Sequence, residues 1–417
     1  MVESRYSWEK GVELEEHTRR KHKILREYLA RYLSVRCAFP QQTKFRLAIV
    51  EAFAGGGRYK CGSPGSPLIF IEELRAATEG LNLKRKDEGM APLDIECFLV
   101  LNDSEPGTID ILKTNVEPVV AAARAEVPKL HLQTMYFDKP FEEIYPTIKT
   151  LLKQGRYQNA LFNLDQYGHS DVELSTLADI GASFASAEIF YTFAISSLLA
   201  FLRKSNPVLL AKQLGFLGVT QSDLSSLEGQ MSKNEWLGAA ERLVFECFRG
   251  CAQFVSPFSI NNPGGWRYWL IHFANNNYRA RQEYNNVLHE NSSMQAHFGR
   301  SGLNMLSFDP AKDGALYLFD VTGRANAKQQ LLEDIPRLVT DFGDAISVGQ
   351  FYGSIYNMTP AHMDDIHAAM MENSDLEVLT ETGGTRRKPN TIRPDDMLRM
   401  KQQRTFFPIF LNSDKKQ

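Results

Sequence analysis

The chain has 417 residues, of which 43% are hydrophobic, and its formal net charge at pH 7 is -3. This composition excludes a collagen-like or disordered protein and a uniformly basic, histone-like surface, and it favours a globular, multi-domain protein. The sequence has no apolar run of membrane-spanning length and its N-terminus is charged, so we expect a cytoplasmic protein without a membrane partner.

The five cysteines are scattered and odd in number, which favours reduced thiols over a disulfide framework. Cys247 and Cys251 are four residues apart on a predicted helix, but no second cysteine or histidine pair lies nearby at ligand spacing. The sequence therefore predicts no metal site.

The first predicted element is an amphipathic helix from about Trp8 to Leu33, in an N-terminal segment (1–40) that packs on the core. Basic residues from His17 to Lys23 interrupt its apolar pattern. This basic run is either a solvated face or a nucleic-acid contact, for which Lys21 is the candidate residue.

Short apolar runs then alternate with helical stretches from Phe45 to about Leu202, which is typical of a parallel sheet covered by helices on both faces. We predict a doubly wound, Rossmann-like α/β core over 41–202, interrupted by an exposed loop from Gly80 to Ala91. Its expected strands are Leu47–Val50, Glu96–Leu101, Leu130–Met135, Ala160–Leu164 and Glu188–Thr192.

The pattern becomes mixed and helical after the core, which predicts a helical insertion at 203–262 and completion of the sheet at 263–325. The elements expected in the latter range are a strand at Trp266–Phe273, a helix at Tyr278–Glu290 and a strand at Leu316–Phe319.

The last segment, 326–417, predicts a winged-helix-like module, because two helices, a strand and a basic hairpin follow one another. The helices are expected at Asp334–Gly349 and Thr359–Glu372, and the strand at Leu376–Thr380. Arg386, Arg387 and Lys388 in the hairpin are candidates for phosphate contact. The same order of elements also serves in protein docking.

A glycine turn follows the first predicted strand, with Gly55, Gly56 and Gly57 after Val50 and Gly65 shortly beyond. Glycines lack the Cβ atoms that keep a backbone away from a ligand, so a cofactor can lie against bare peptide there. The alternative is a turn that simply connects a strand to a helix.

Acids stand at the ends of four predicted strands, where ligands of a doubly wound sheet bind. They are Glu51, Asp103, Asp138 and Asp165. A carboxylate accepts two hydrogen bonds from a ribose diol, and a neighbouring acid or amide accepts from an adenine amine. The candidate cofactor-binding residues are Glu51, Phe53, Gly55, Gly57, Asn102, Asp103 and Asp138.

The spacing of these residues favours S-adenosylmethionine as the cofactor. A dinucleotide fold carries its acid about twenty residues after the glycines, whereas Asp103 comes much later, and no phosphate-binding Gly-Lys-Ser/Thr follows the turn. An NAD-dependent oxidoreductase remains an alternative.

The segment Asn163–Gly168, which reads Asn-Leu-Asp-Gln-Tyr-Gly, lies where the catalytic loop of such a sheet belongs. Methylation of an exocyclic amine requires an acceptor that orients the amine and an aromatic face that stacks on the base. Asp165 can accept and Tyr167 can stack, with Asn163 as a further catalytic candidate. Alternatively, Asp165 caps a helix and Tyr167 fills the core.

Together these segments resemble the three-Cys-motif partner proteins, which are bacterial and phage-associated proteins with a class I methyltransferase-like core. The resemblance rests on His17 with Lys21 in the first helix, on Glu51–Tyr59 with Gly65-Ser66-Pro67, and on Asn163–Ser170. Members typically have Asp at position 51 and read Asp-Pro-Phe-Gly at 165–168, where this chain has Glu51 and Asp-Gln-Tyr-Gly. The resemblance implies a partner protein that carries a three-Cys motif. The Asp-Pro-Phe-Gly form also resembles the catalytic loop of tRNA guanine amine methyltransferases, which implies a nucleobase amine as the acceptor.

We therefore expect an S-adenosylmethionine-dependent methyltransferase that acts on RNA or DNA. The alternative is a non-catalytic nucleic-acid-binding or partner-scaffold protein that retains the fold, and the loss of the loop proline at Gln166 favours it slightly.

Overall fold

A computed structural model describes residues 8–168, 171–195, 198, 209, 212, 214–219, 233–261, 267–275, 282–287, 296–298, 316–318, 321–359 and 361–401. His169 and Ser170, which belong to the predicted loop motif, lie outside the described residues. The helix predicted at Tyr278–Glu290 is described over 282–287, which are helical.

A seven-stranded sheet forms the centre of the molecule, in the order β3-β2-β1-β4-β5-β7-β6. β1 to β5 pair in parallel, whereas β7 is antiparallel to both of its neighbours. The strands are β1 Lys44–Glu51, β2 Asp94–Asn102, β3 Leu130–Phe137, β4 Asn159–Leu164, β5 Ser186–Phe193, β6 Phe254–Asn261 and β7 Arg267–Ala274. The predicted α/β fold with a mostly parallel sheet is confirmed.

Helices cover both faces of this sheet. The described helices in this part are α1 Glu16–Arg36, α2 Ser66–Asp87, α3 Thr108–Glu126, α4 Phe141–Gln154, α5 Leu174–Ser183 and α6 Lys233–Arg249. Leu47 and Ile49 of β1 pack in the core that includes α1, α2 and α3, while Ala48 and Val50 pack in the core that includes α4, α5 and α6. Alternate residues of one buried strand thus serve two apolar layers, which explains its continuous run of apolar residues.

The order of the strands reverses between β1 and β4, which are neighbours in space although two strands separate them in sequence. The register pairs Glu51, the last residue of β1, with Leu101 of β2 on one side and Asn163 of β4 on the other. Parallel strands end at the same edge, so the loops after β1, β2 and β4 open into one crevice. Ligands of such sheets bind at this switch point.

The prediction of an exposed loop at Gly80–Ala91 is wrong over the first part of this segment, because α2 continues to Asp87. The charged residues from Lys84 to Glu88 suggested an exposed loop, but one of them is buried. Arg85 is 4% exposed, and its guanidinium donates to the main-chain carbonyls of Phe39, Pro40, Gln42 and Ala91. The helix therefore carries a structural arginine that satisfies the carbonyls of two loops.

The sheet includes β6, which lies in the range predicted as a helical insertion. Ile260 and Val255 of this edge strand are buried, and β6 pairs with β7 along its whole length. A small separate sheet joins β8 (Ala296–Phe298) to β9 (Leu316–Leu318).

The C-terminal segment forms its own three-stranded antiparallel sheet in the order β10-β12-β11. Its elements are α7 Val321–Asp341, β10 Ala345–Ser347, α8 Val348–Ile355, α9 Met363–Glu372, β11 Leu376–Leu379 and β12 Met397–Met400. The helix predicted at Asp334–Gly349 is thus the end of α7, a short strand and the start of α8. Buried Leu331, Phe351 and Leu398 join the core beneath α1 to α3.

Among the described residues, no helix is both long enough and apolar enough to span a bilayer. The same residues contain no group of three or more His, Cys, Asp or Glu side chains arranged to hold a metal ion.

Candidate functional site

A cleft of about 860 Å³ opens at the switch point of the sheet. The described residues that line it come from the loops after β1, β2, β3 and β4, from the N-terminal segment with α1, and from β5 and β7. Six of the predicted site residues line it: Lys21, Phe53, Gly55, Asp103, Asp165 and Tyr167. The sequence therefore located the cleft.

The glycine turn is held by main-chain contacts with β2 and α2. The amide of Ala54 donates to the carbonyl of Asn102 at 2.8 Å, and the amide of Gly65 donates to the carbonyl of Gly57 at 2.8 Å. Gly55 and Gly57 adopt positive φ values of 60° and 80°, which favour glycine. A Cβ at Gly57 would lie 2.9 Å from Leu112 of α3, so packing against a helix explains that glycine. Gly55, in contrast, faces the cleft.

Trp8 packs on the cleft side of the glycine turn. A Cβ added to Gly55 would overlap the indole ring, and a Cβ on Gly56 would lie 2.7 Å from Trp8 Cε3. Trp8 also contacts Tyr59, with 5.5 Å between the ring centroids. The bare backbone of the turn thus accommodates a side chain of the same protein. Sequence patterns gave no sign of this contact, because Trp8 and the glycine turn lie far apart in the chain.

Asp103 at the end of β2 bridges the glycine turn and its own loop. Its Oδ2 accepts from the amide of Gly55 at 2.8 Å, and its Oδ1 accepts from the amide of Glu105 at 2.9 Å. Burial raises the pKa of Asp103, and these two amide hydrogen bonds oppose that rise. Each carboxylate oxygen has a second lone pair, so Asp103 can still accept from a ligand hydroxyl in the cleft.

Glu51 and Asn163 form a buried pair beneath the cleft and do not line it. The Asn163 amide nitrogen donates to both carboxylate oxygens of Glu51, at 3.0 and 2.9 Å. Glu51 is fully buried, and this burial raises its pKa well above the ordinary range. This pair joins the ends of β1 and β4, and neither residue lines the cleft.

Asn102 and Asp138 also lie away from the cleft wall. The side-chain amide of Asn102 donates to the carbonyl of Ala52 at 2.9 Å and accepts from the amide of Lys139 at 3.3 Å, so it fixes the strand ends. Asp138 is exposed and is not among the residues that line the cleft. The edge after β3 instead contributes Phe141 of α4, which packs against Phe53 with 6.3 Å between ring centroids.

Asp165, at the end of β4, pairs with Lys21 of α1. The Lys21 ammonium lies 2.5 Å from Asp165 Oδ1, and the two side chains are 10% and 21% exposed. Burial alone would raise the pKa of Asp165, but the charge and hydrogen bond of Lys21, with a hydrogen bond from Thr192, hold that pKa below its usual range. Asp165 is therefore ionised at neutral pH. Lys21 belongs to the cleft and does not lie on an exposed basic surface.

Gln166 fixes the loop after β4 through two side-chain hydrogen bonds. Its side-chain nitrogen donates to the hydroxyl of Tyr191 at 2.7 Å, and its oxygen accepts from the amide of Asp171 at 2.9 Å. The side chain is buried, so both polar atoms need these partners. Tyr167 next to it is 56% exposed and lines the cleft. It does not fill the core.

His17 and Tyr268 form a further wall that sequence patterns did not reveal. Their rings stack with 4.5 Å between centroids and 8° between planes, which joins α1 to β7 across the cleft. Burial, followed by the charge of Lys21, lowers the pKa of His17. The stack depends on two segments about 250 positions apart in the chain, so local patterns could not predict it.

The three basic candidates of the C-terminal hairpin have different environments. Arg386 forms a bidentate pair with Asp396 at 2.8 and 2.9 Å, and Asp396 is 2% exposed. Arg386 thus holds the hairpin together. Arg387 and Lys388 are exposed.

Comparisons with known proteins add no assignment to this geometry. No model of a known protein family matches the chain, and no curated protein matches it. A solved structure of a candidate O-methyltransferase from Klebsiella pneumoniae is similar over 59% of this chain and 79% of its own, with 10% identity and a TM-score of 0.25. A likeness at this level identifies no family, so the resemblance to the three-Cys-motif partner proteins stays a prediction.

Proposed function

We propose that this protein is an S-adenosylmethionine-dependent methyltransferase that acts on an amine. The observation that carries the proposal is the hydrogen bond between the Gly55 amide and Asp103 at the switch point. It joins the glycine turn to the acid of the next strand on the wall of the cleft. Bare backbone with an adjacent hydroxyl acceptor suits a nucleoside cofactor.

The charge of the cleft favours this cofactor over a dinucleotide. Among the described residues that line it, Lys21 and His17 are those able to carry positive charge, and Lys21 is paired with Asp165. A pyrophosphate would therefore meet carboxylates without a free cation. S-adenosylmethionine carries no phosphate, and its sulfonium is a cation that this cleft accommodates.

The residues on the cleft wall take separate roles in the proposal. Gly55 offers backbone to the cofactor, Asp103 accepts from its ribose, and Phe53 with Phe141 provides an apolar wall for its base. Glu51 and Asn163 act indirectly, since they are buried and fix the ends of β1 and β4. Trp8 either stacks on the bound cofactor or moves from the turn.

Asp165 and Tyr167 would orient the acceptor amine. When bound, the cofactor supplies a methyl group on a positively charged sulfur. Asp165, kept ionised by Lys21, accepts a hydrogen bond from the amine and so directs its lone pair, while the exposed ring of Tyr167 packs on the acceptor. Alignment contributes more here than acid-base strength.

The test compares Asp165→Asn with the wild type. We expect methyl transfer from labelled S-adenosylmethionine to fall by about 100-fold, because the loss removes an interaction that aligns the amine. Calorimetric affinity for the cofactor should change by less than about threefold. Asp110→Asn is the matched control, since Asp110 is an exposed acid of α3 outside the cleft. Parallel loss of transfer and binding in Asp165→Asn would contradict the role of Asp165.

One observation favours a second function, a non-catalytic protein that retains the fold. Lys21 forms an ion pair with the Asp165 carboxylate, and Trp8 packs on the glycine turn. The positions proposed for the amine and for the cofactor thus both have partners within the chain. Binding of the cofactor without transfer to protein, nucleic acid or small amines would support this alternative.

For the C-terminal segment we propose a winged-helix-like module that docks a partner protein. The order from α7 to β12, with a hairpin loop between β11 and β12, supports the assignment. The exposed side chains of α9 include Asp364 and Glu372, and its sequence has no Lys or Arg, so this helix is unsuited to a phosphate-lined groove. A partner with a three-Cys motif is the candidate implied by the family resemblance, and nucleic-acid contact depends on Arg387 and Lys388.

A further inference from the structure

We infer that the acceptor in the cleft is a small, positively charged amine without a phosphate, and not a nucleic acid. This inference rests on the proposed function, because it assigns the substrate class of the same cleft. It follows from the charge, the aromatic content and the size of the cavity.

Carboxylates dominate the charge of the cleft. Among the described residues, six acids line it, against the ammonium of Lys21 and a histidine whose pKa is lowered by burial. The acids are Glu13, Glu15, Asp103, Glu105, Asp165 and Asp171. Among the described residues that line the cleft, acids thus outnumber the lysine by five.

Some of these acids already have partners in the chain. Asp165 pairs with Lys21 at 2.5 Å, and Glu13 pairs with Lys60 at 3.0 Å. Glu105 and Asp171 are exposed at the mouth of the cleft, next to Asp103 and the Asp165 loop respectively. A cation that enters would meet both, whereas a polyanion would be repelled.

Aromatic rings provide the second independent feature. In the part of the chain that the structure describes, six Phe, Tyr and Trp rings line the cleft: Trp8, Phe53, Tyr59, Phe141, Tyr167 and Tyr268. Ring faces attract ammonium groups, and this attraction adds to that of carboxylates at sites that are partly shielded from water. Tyr167 lies on the catalytic loop and is 56% exposed, so its ring can cover a ligand beside Asp165.

The size of the cavity limits the acceptor. Its volume of about 860 Å³ lies within the range of small-molecule sites, about 300–1,000 Å³. The cofactor must occupy part of that volume, which leaves space for a small molecule. A protonated amine must first release its proton to water through the open mouth of the cleft. Its nitrogen then gains the methyl group as the carbon–sulfur bond breaks, and the sulfonium becomes a neutral thioether.

The test uses two probes of similar shape and opposite charge, phenethylamine and 3-phenylpropionate. Calorimetry on the full-length protein saturated with S-adenosylhomocysteine should show at least about tenfold tighter binding of phenethylamine at low salt. The preference should fall about threefold in Glu105→Gln/Asp171→Asn and should not change in Asp110→Asn, which removes a charge outside the cleft.

Equal affinities, tighter binding of 3-phenylpropionate or no measurable binding of phenethylamine would overturn the inference. Displacement of phenethylamine by a single-stranded RNA oligonucleotide would overturn it as well. Binding of S-adenosylhomocysteine is measured first. If that ligand does not bind, the proposed function fails, while the preference for the cation can still be measured on the protein alone.

Discussion

Substitution of Gly55 by alanine tests why the turn after β1 contains glycine. The structure offers two reasons, since Gly55 both contacts the indole of Trp8 and faces the cleft proposed for the cofactor. An added Cβ overlaps the indole, and the φ of 60° disfavours any residue with a Cβ. Alanine therefore affects stability and ligand binding through separate contacts.

The cost to the free energy of unfolding can be built from three contributions. The left-handed backbone costs about 1–2 kcal/mol, which the lower entropy of the unfolded alanine chain offsets by about 0.4–1 kcal/mol. Displacement of the half-buried indole of Trp8 adds about 1 kcal/mol, roughly half the value of a fully buried apolar side chain. The sum is about 2 kcal/mol for Gly55→Ala.

Gly62→Ala is the matched control, because Gly62 has a φ of 84° and nothing within 4 Å of an added Cβ. It should lose only the backbone contribution, about 0.5–1 kcal/mol. In a Trp8→Ala background, Gly55→Ala should cost about 1 kcal/mol less than in the wild type, because the indole is already absent. Urea unfolding followed by circular dichroism measures Gly55→Ala, Gly62→Ala, Trp8→Ala and the double variant.

Cofactor affinity separates the two reasons for the glycine. Calorimetry should show at least about tenfold weaker binding of S-adenosylmethionine to Gly55→Ala, both with Trp8 and without it. Wild-type affinity in Gly55→Ala would refute the contact of the cofactor with this turn. Recovery of affinity in the double variant would mean that the clash with Trp8 alone causes the loss. Equal destabilisation of Gly55→Ala and Gly62→Ala would refute the packing of Trp8.

Two further predictions concern charges. In thermal denaturation, Asp396→Asn should lower the free energy of unfolding by about 2 kcal/mol, because it weakens the charge-assisted hydrogen bonds from Arg386. The control Asp395→Asn changes an exposed acid and should stay within about 0.5 kcal/mol of the wild type. Burial lowers the pKa of His22 to about 4 in the folded state. Between pH 6.5 and 4 the unfolded state therefore binds a proton that the folded state does not, and the free energy of unfolding falls by up to about 3 kcal/mol as the pH is lowered over that range. Urea titrations at several pH values should show a shallower fall for His22→Gln, and parallel profiles would contradict this.

The sequence located the cleft because its signals are local. A buried strand, a glycine turn and acids at strand ends are each readable within a few residues, and parallel strands bring their ends to one edge. Phe53, Gly55, Asp103 and Asp165 accordingly line the cleft. The same signals could not distinguish an acid that faces the cleft from Glu51, which faces Asn163 one strand away.

Charged residues were the main source of wrong or incomplete predictions. Lys21 belongs to a basic run that suggested a surface, and Arg85 to one that suggested a loop, yet both are buried. Each is stabilised by a partner distant in sequence, Asp165 for Lys21 and the carbonyl of Phe39 for Arg85. Burial of a charge depends on such a partner, and a local pattern does not contain it.

The sequence by itself thus determined the layers of the fold, since the period of the apolar residues and the positions of the turns follow from local chemistry. Tertiary structure alone decided the contents of the cleft. Trp8 on the glycine turn, Lys21 on Asp165 and His17 on Tyr268 each join segments far apart in the chain. Their contacts arise from the path of the chain across the sheet, and they place an indole, an ion pair and a ring stack on the wall of the cleft.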